Sequence, residues 1–261
     1  MRLVAFCEAP ADFRLASGLV DRVLRDAGPP WVVDNFESPE VIRTWQPDGF
    51  GNAHFDLHNL NRYMDELQVR SVRGHFNGRA GGAGASMARK AFLIARALRK
   101  QLPDAPIDAV VLVWDIDQQR DERSAGVAAA RDEAQPWAPF QIVCGFPDPE
   151  REAWVLAGFD PCDDTERSRL DELHRELGFS PILDAHRLRD KAAGNPRNIK
   201  RVISVLTGHD PEREARCWTE PSLATLRARG TASGLAAFLD EIHAILLPLL
   251  DPSAARPHLR T

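Results

Sequence analysis

The chain lacks any run of 18 consecutive apolar residues, so no segment of it is expected to cross a membrane as a helix. Lysine is scarce: Lys90, Lys100, Lys191 and Lys200 are the only lysines among 33 basic residues, which leaves 29 arginines (33 − 4). Genomic base composition explains that bias more simply than function does. The four cysteines, Cys7, Cys144, Cys162 and Cys217, are scattered without a CxxC spacing. Neither a zinc site nor a disulfide framework is indicated, and a reducing cytoplasm fits best. The first residues meet Glu8 and Pro10 too early for a signal peptide. Phosphate-loop fingerprints are missing too. The glycine-rich stretch 74–86 ends Gly84-Ala85-Ser86 and continues Met87-Ala88-Arg89-Lys90, which fits neither G-x-x-x-x-G-K-[ST] nor G-x-G-x-x-G. His54 is followed by Phe55 rather than glutamate, so the His54-x-x-x-His58 spacing is no metalloprotease motif. No Ser-His-Asp or Cys-His arrangement can be argued from spacing.

Net charge is −5 over 261 residues, which argues against strong passive attraction to nucleic-acid phosphates. It does not exclude an enzyme acting on them, because an acidic metal site is itself anionic until the metal binds. The length allows one large domain or two small ones.

Periodicity organises the first 146 residues. Leu3 to Cys7 reads as a strand, and Phe13, Leu15, Ala16, Leu19, Val20, Val23 and Leu24 repeat at helical spacing. Gly28-Pro29-Pro30 stops that helix, and Trp31-Val32-Val33 is a second expected strand. Residues 37–66 read as an insertion with short helices, and 68–72 as a further strand. A helix is expected from Ser86 to Gln101. Ile107 to Trp114 is the strongest strand, apolar throughout and therefore expected at the centre of a parallel sheet. A polar helix from Asp121 to Glu133 and a strand from Phe140 to Cys144 follow. Beyond Pro147 only helices are expected, at 150–156, 165–177, 198–206 and 233–247. The alternation predicts an α/β fold with a doubly wound, mainly parallel sheet over 1–147, and a C-terminal helical subdomain over 148–261 packed on it.

Two of the expected strands deliver acids at their carboxyl ends, where open α/β sheets collect functional groups. Glu8 follows the first, and Asp115 and Asp117 follow the central one. Residues i and i+2 of an extended segment project to one side, so both aspartates can face one cation. With Glu8 they would form an oxygen-rich pocket suited to Mg²⁺ or Mn²⁺. Crowded without a metal, such acids repel and their proton affinities rise. The plainer alternative is that the Asp-x-Asp pair and the Glu-Ala-Pro turn are solvated turn acids.

In this arrangement the chain resembles the TOPRIM domains of topoisomerases, bacterial primases and overcoming-lysogenization-defect nucleases. Glu8-Ala9-Pro10-Ala11-Asp12 stands where that family shows Glu-Gly-x-x-Asp, with Ala9 replacing the glycine, and Asp115-Ile116-Asp117 stands at its DxD. The resemblance covers about residues 2–146. Pro149-Glu150-Arg151-Glu152-Ala153-Trp154-Val155-Leu156-Ala157 is similar to the Glu-x-Trp-x-Leu-Ala segment of a TOPRIM-related prokaryotic family. That likeness makes Glu152 a candidate fourth acid; otherwise the segment is an amphipathic helix. Asp121 is a candidate for a second metal or its water, or else a first-turn helix acid. The resemblance implies a Mg²⁺- or Mn²⁺-dependent nuclease acting on DNA or RNA, and a possible ABC-type ATPase partner in defence against phage.

Three further features remain. Ser86 is expected to cap its helix, and with Arg79, Arg89 and Lys90 the loop offers a weak phosphate site. His54, His58 and His75 read as surface or substrate-contact groups. Lys191 to Arg201 is the best basic patch, and Lys200 is the candidate to place positive charge at the scissile phosphate, though a solvated helix start would explain it as well. Two other functions stay open: a non-catalytic TOPRIM-like subunit that regulates or scaffolds an ATPase complex, and an enzyme processing nucleotides or small phosphates. A haloacid-dehalogenase-type phosphatase needs its aspartate where Glu8 stands. Homo-oligomerisation is left open.

Overall fold

The computed structural model describes residues 1–70, 75–76, 79–82, 84–116 and 120–251. The chain begins with β1 (Arg2–Cys7), whose last five residues are buried. It turns into α1 (Pro10–Ala27), where Asp12 reaches back to accept from the Ala9 N–H at 2.9 Å and closes the first turn. Gly28 ends the helix, its N–H donating to the Leu24 carbonyl.

The expected strand at Trp31–Val33 is instead a short helix, α2 (Pro30–Asp34). Pro30 sits at its first position, where the fixed φ suits a helix. Only Val32 is buried, and Val33 is 54% exposed, so the segment has no second face to bury in a sheet. The insertion contains the expected short helices, α3 (Pro39–Ile42) and α4 (Leu60–Glu66). It also contributes two unexpected two-residue strands, β2 (Thr44–Trp45) and β3 (Phe55–Asp56). Gln68 to Arg70, expected to begin a strand, form none, and Gln68 adopts φ +53°; positions 71 and 72 lie outside the described residues.

β4 (His75–Phe76) and β5 (Arg79–Ala80) form a small antiparallel pair ahead of α5 (Ala85–Gln101). Gly84, at φ +82°, occupies the cap position of α5, so Ser86 is not the N-cap but a residue within the helix. β6 (Ala109–Val113), α6 (Arg120–Ala134) and β7 (Gln141–Gly145) follow as expected. The rest is helical: α7 (Glu152–Ala157), α8 (Asp164–Leu177), α9 (Ile199–Thr207), α10 (Pro211–Thr219), α11 (Leu223–Arg229) and α12 (Leu235–Leu246).

The main sheet has the order β2-β1-β6-β7, with β3 pairing the far end of β1, and all of its pairings are parallel. Side chains alternate between its faces. Leu3, Ala5, Cys7, Ala109, Val111 and Val113 face a core shared with α1 and α12. Val4, Phe6, Val110, Leu112 and Trp114 face a second core built with α4, α5 and α6. The helices beyond residue 147 join the first of these cores: Trp154 stacks on Phe238 with ring centres 4.9 Å apart and donates to the Ser233 carbonyl at 2.7 Å. β7 is an edge strand, and its Cys144 N–H is covered by the Glu241 carboxylate at 2.8 Å, itself held by Arg131. Among the described residues no helix is long and apolar enough to cross a membrane.

Candidate metal centre

Because β1 and β6 run parallel with Phe6 opposite Leu112, the residues that follow them emerge at the same edge of the sheet. Glu8 lies two positions past Phe6 and Asp115 three past Leu112. Trp114 joins the two ends, its indole N–H donating to Glu8 Oε1 at 3.0 Å. Arg123 lies over the Trp114 ring, 4.5 Å from its centre, and its guanidinium donates to the Asp115 carbonyl. The Asp115 carboxylate accepts from the Arg151 backbone N–H at 3.0 Å. That bond ties the end of β6 to the loop ahead of α7.

Asp115 is the most perturbed carboxyl of this edge. Burial, and then the negative charges of Asp12, Glu8, Glu152 and Glu150, push it up to about 9. This is the behaviour expected of crowded acids. Burial also raises Asp12 and Glu152, in both cases against the opposing pull of Arg151.

Arg151 is the buried cation of the cluster. Its guanidinium reaches Asp12 Oδ1 at 3.5 Å, Glu152 Oε1 at 3.2 Å and Glu214 Oε1 at 2.6 Å. Lys200 is paired: its ammonium lies 3.0 Å from Glu150 Oε2, and Lys191 holds the same carboxylate. Burial alone would raise Glu150, but hydrogen bonds from the two lysines outweigh it and hold its carboxyl below the ordinary value.

Of the histidines, His58 comes to the site, with Nε2 at 3.8 Å from Glu8 Oε1. His54 is buried and stacked on Phe13, ring centres 5.6 Å apart. Burial lowers its pKa against the pull of Asp56, Asp48 and Asp12. The weak phosphate site at the start of α5 is not assembled around its cations: Arg89 pairs with Glu133 at 2.7 Å and Lys90 donates to Asn61 at 2.8 Å. The side chains of Arg79 and His75 lie outside the described residues.

The structure thus brings together Glu8, Asp115 and Glu152, and sets Lys200 beside them on Glu150. Asp117 and the Asp121 side chain lie outside the described residues. Among the described residues no three His, Cys, Asp or Glu side chains stand close enough to share one metal ion. The donor set nevertheless fits a hard divalent cation in kind, since every acid here offers carboxylate oxygen and the cluster is short of positive charge.

Sequence reasoning missed Arg151, Glu214 and the site role of Asp12. Asp12 was legible in the Glu8-x-x-x-Asp12 spacing, which carries it one helical turn into α1 and back over the edge. Arg151 offered a weaker signal, three consecutive charges (Glu150, Arg151, Glu152) directly before an apolar helix, all three of them buried. Glu214 offered none. No protein-family model, curated protein or solved structure matches the chain.

Proposed function

We propose that the chain is a metal-dependent nuclease whose site is centred on Asp115, with Glu8 and Asp117 as fellow ligands of Mg²⁺ or Mn²⁺. The observation that carries this reading is the Asp115 carboxyl, raised to about 9 among Asp12, Glu8, Glu152 and Glu150 at the carboxyl edge of a parallel sheet. Buried acids gathered at such an edge, each raising the proton affinity of Asp115, are a mark of functional sites. The sheet and helices agree with the α/β expectation, and the TOPRIM resemblance rests on Glu8, Asp12 and the Asp115–Asp117 pair.

A bound Mg²⁺ or Mn²⁺ ion would supply Lewis acidity, lowering the pKa of a water and steadying charge on the phosphodiester oxygens. The residues divide the remaining work. Asp115, raised to about 9, would have to release its proton to serve as a ligand. Trp114 fixes Glu8 at 3.0 Å, and the Arg151 N–H fixes Asp115 at 3.0 Å, so neither carboxylate needs to be ordered on binding. Lys200 supplies positive charge beside the edge, where the scissile phosphate would develop charge. Glu152 and Asp121 remain candidates for a second ion or its waters. An ABC-type ATPase partner and a role in defence against phage come with the resemblance.

A second reading is favoured by Arg151, a cation supplied by the protein itself and already bound to Asp12, Glu152 and Glu214. On that reading the chain keeps the shape but serves as a non-catalytic subunit. Incubation with plasmid and single-stranded DNA and RNA, with Mg²⁺, with Mn²⁺ and with chelator, separates the two. The nuclease reading expects metal-dependent cleavage that Asp115→Ala abolishes without unfolding the chain. Cleavage by the variant at the wild-type rate would falsify it.

A further inference from the structure

The acidic edge has a basic neighbour built to a different plan. Positions 187–201 carry Arg187, Arg189, Lys191, Arg197, Lys200 and Arg201 against the single acid Asp190, in a chain whose net charge is −5. This segment is folded back on itself. Arg189 and Asn198 form an antiparallel bridge, the Asp190 N–H donates to the Arg197 carbonyl at 3.2 Å, and Asn198 Nδ2 donates to the Asp190 carbonyl at 3.0 Å. Asn198 also accepts from the Arg201 N–H and so starts α9, which places Lys200 in the first turn of that helix.

Three of the cations are held from below by buried carboxylates of the loop 148–150. Asp148, 1% exposed, accepts from Arg189 Nη2 at 2.6 Å. Glu150, 7% exposed, holds Lys191 and Lys200, which are themselves 52% and 66% exposed. Both ammonium groups reach water above the carboxylate that they share. Long lysine side chains would ordinarily sample many rotamers, and this anchoring removes part of that freedom before any ligand arrives. The anchor is adjacent to the acidic edge, because the next residue along, Arg151, donates its backbone N–H to Asp115.

We infer that Arg189, Lys191 and Lys200, braced by Asp148 and Glu150, form a phosphate-contact surface that seats a nucleic-acid backbone across the Asp115 edge. This rests on the nuclease reading for its choice of ligand. It goes beyond that reading by assigning Arg189 and Lys191 to the substrate, and by making Asp148 and Glu150 positioning residues rather than metal ligands. The acidic edge repels a polyanion, and a cationic strip beside it supplies the attraction that the chain as a whole does not.

The test measures binding of short fluorescein-labelled DNA, duplex and single-stranded, and of single-stranded RNA, to the full chain. Ca²⁺ replaces Mg²⁺ so that affinity is read apart from cleavage, and the salt concentration is varied. Each duplex phosphate contact contributes about 0.9 to the slope of log affinity against log salt, or roughly 8-fold in affinity near 0.1 M salt. Lys200→Gln leaves Lys191 on Glu150 and keeps the fold safe; it should lower the slope by about one, and Lys191→Gln/Lys200→Gln by about two. Cleavage in Mn²⁺ is recorded alongside. Unchanged affinity and slope in both variants, with wild-type binding intact, overturns the inference and leaves the nuclease reading standing. Loss of affinity as described in a chain that never cuts supports the inference and removes the nuclease reading. A wild-type chain that binds none of the three probes at low salt overturns both.

Discussion

Replacing Asp115 with asparagine should make the chain less sensitive to alkaline pH. In the folded protein the Asp115 carboxyl titrates near 9, against an ordinary value of 3.8. Between those limits the native state holds a proton that the unfolded chain has released. For an acid whose pKa is raised on folding, stability falls as pH rises. The penalty is absent below the unfolded value and complete above the folded one. The slope is at most about 1.4 kcal/mol per pH unit for one proton, so from pH 5 to pH 8 the wild type should lose up to about 4 kcal/mol relative to Asp115→Asn. Asp12 and Glu152 are raised as well and share in the titration, so about 4 kcal/mol is a ceiling. The asparagine is isosteric, and its amide oxygen can keep the bond from the Arg151 N–H. The assay is urea unfolding of both proteins with chelator at pH 5, 6, 7 and 8, repeated with Mn²⁺. In chelator the two stability curves should diverge with pH. In Mn²⁺ the wild type should regain stability by mass action, and the variant much less. Parallel curves in chelator would mean that Asp115 is not crowded by charge, and the argument for a cation at this edge would lose its foundation.

Three other substitutions test the electrostatics and packing around the same frame. Arg151→Met takes the guanidinium from Asp12, Glu152 and Glu214 and should cost about 3–5 kcal/mol in chelator, as breaking a buried ion pair does; partial rescue by Mn²⁺, read as melting temperature, would show that a cation at this edge offsets part of the lost charge. Glu166 is held near 2, first by the Arg213 guanidinium at 2.6 Å, with both side chains under a tenth exposed. Its stabilisation is fully present above about pH 4.5 and is lost as pH falls toward 2, about 3 kcal/mol in all. The acid unfolding limb of Glu166→Gln should be shallower by that amount, and identical limbs would refute it. At Gly145 an added Cβ would stand 2.8 Å from both Phe238 and Trp154, so Gly145→Ala should cost about 1–3 kcal/mol in urea unfolding, and a neutral result would show that α12 is free to shift.

What the sequence made legible follows from range. β1, α1, β6 and β7 carry their own apolar pattern, and so did the parallel core strand with its acids at one end. The strands of two residues, β2 and β3, have no period to read; they exist because β1 offers backbone partners along Arg2–Leu3 and Phe6–Cys7. Trp31 to Val33 looked like a strand because three large apolar residues adjoin, yet the paired prolines before them turn the chain into a helix. Ser86 was a reasonable cap in isolation, but Gly84 tolerates the left-handed turn that the entry into α5 requires. Glu150, Arg151 and Glu152 were hardest. Charged residues are surface residues by default, and nothing local states that their partners are Lys191, Lys200 and Glu214, dozens of residues further on.

Those distant partners bear on how the acidic edge stays folded. The charges of Asp12, Glu8, Glu152 and Glu150 all act on Asp115, and Glu214 is joined to them through Arg151, six carboxyls in all. Arg151 answers Asp12, Glu152 and Glu214, Lys191 and Lys200 answer Glu150, and the Arg123 guanidinium lies on the Asp115 carbonyl. A buried guanidinium spread over three acids is therefore a partial answer, enough to let the loop 148–152 close over the sheet and leaving Asp115 protonated. A divalent cation would add positive charge where Asp115 now holds a proton. On this view the arginine and the metal are not rivals. Arg151 holds Asp12, Glu152 and Glu214 on the side of α1 and α10, while Glu8 and Asp115 stand at the strand ends, so the Arg151→Met variant, with more negative charge left at the edge, should gain more from Mn²⁺ than the wild type does.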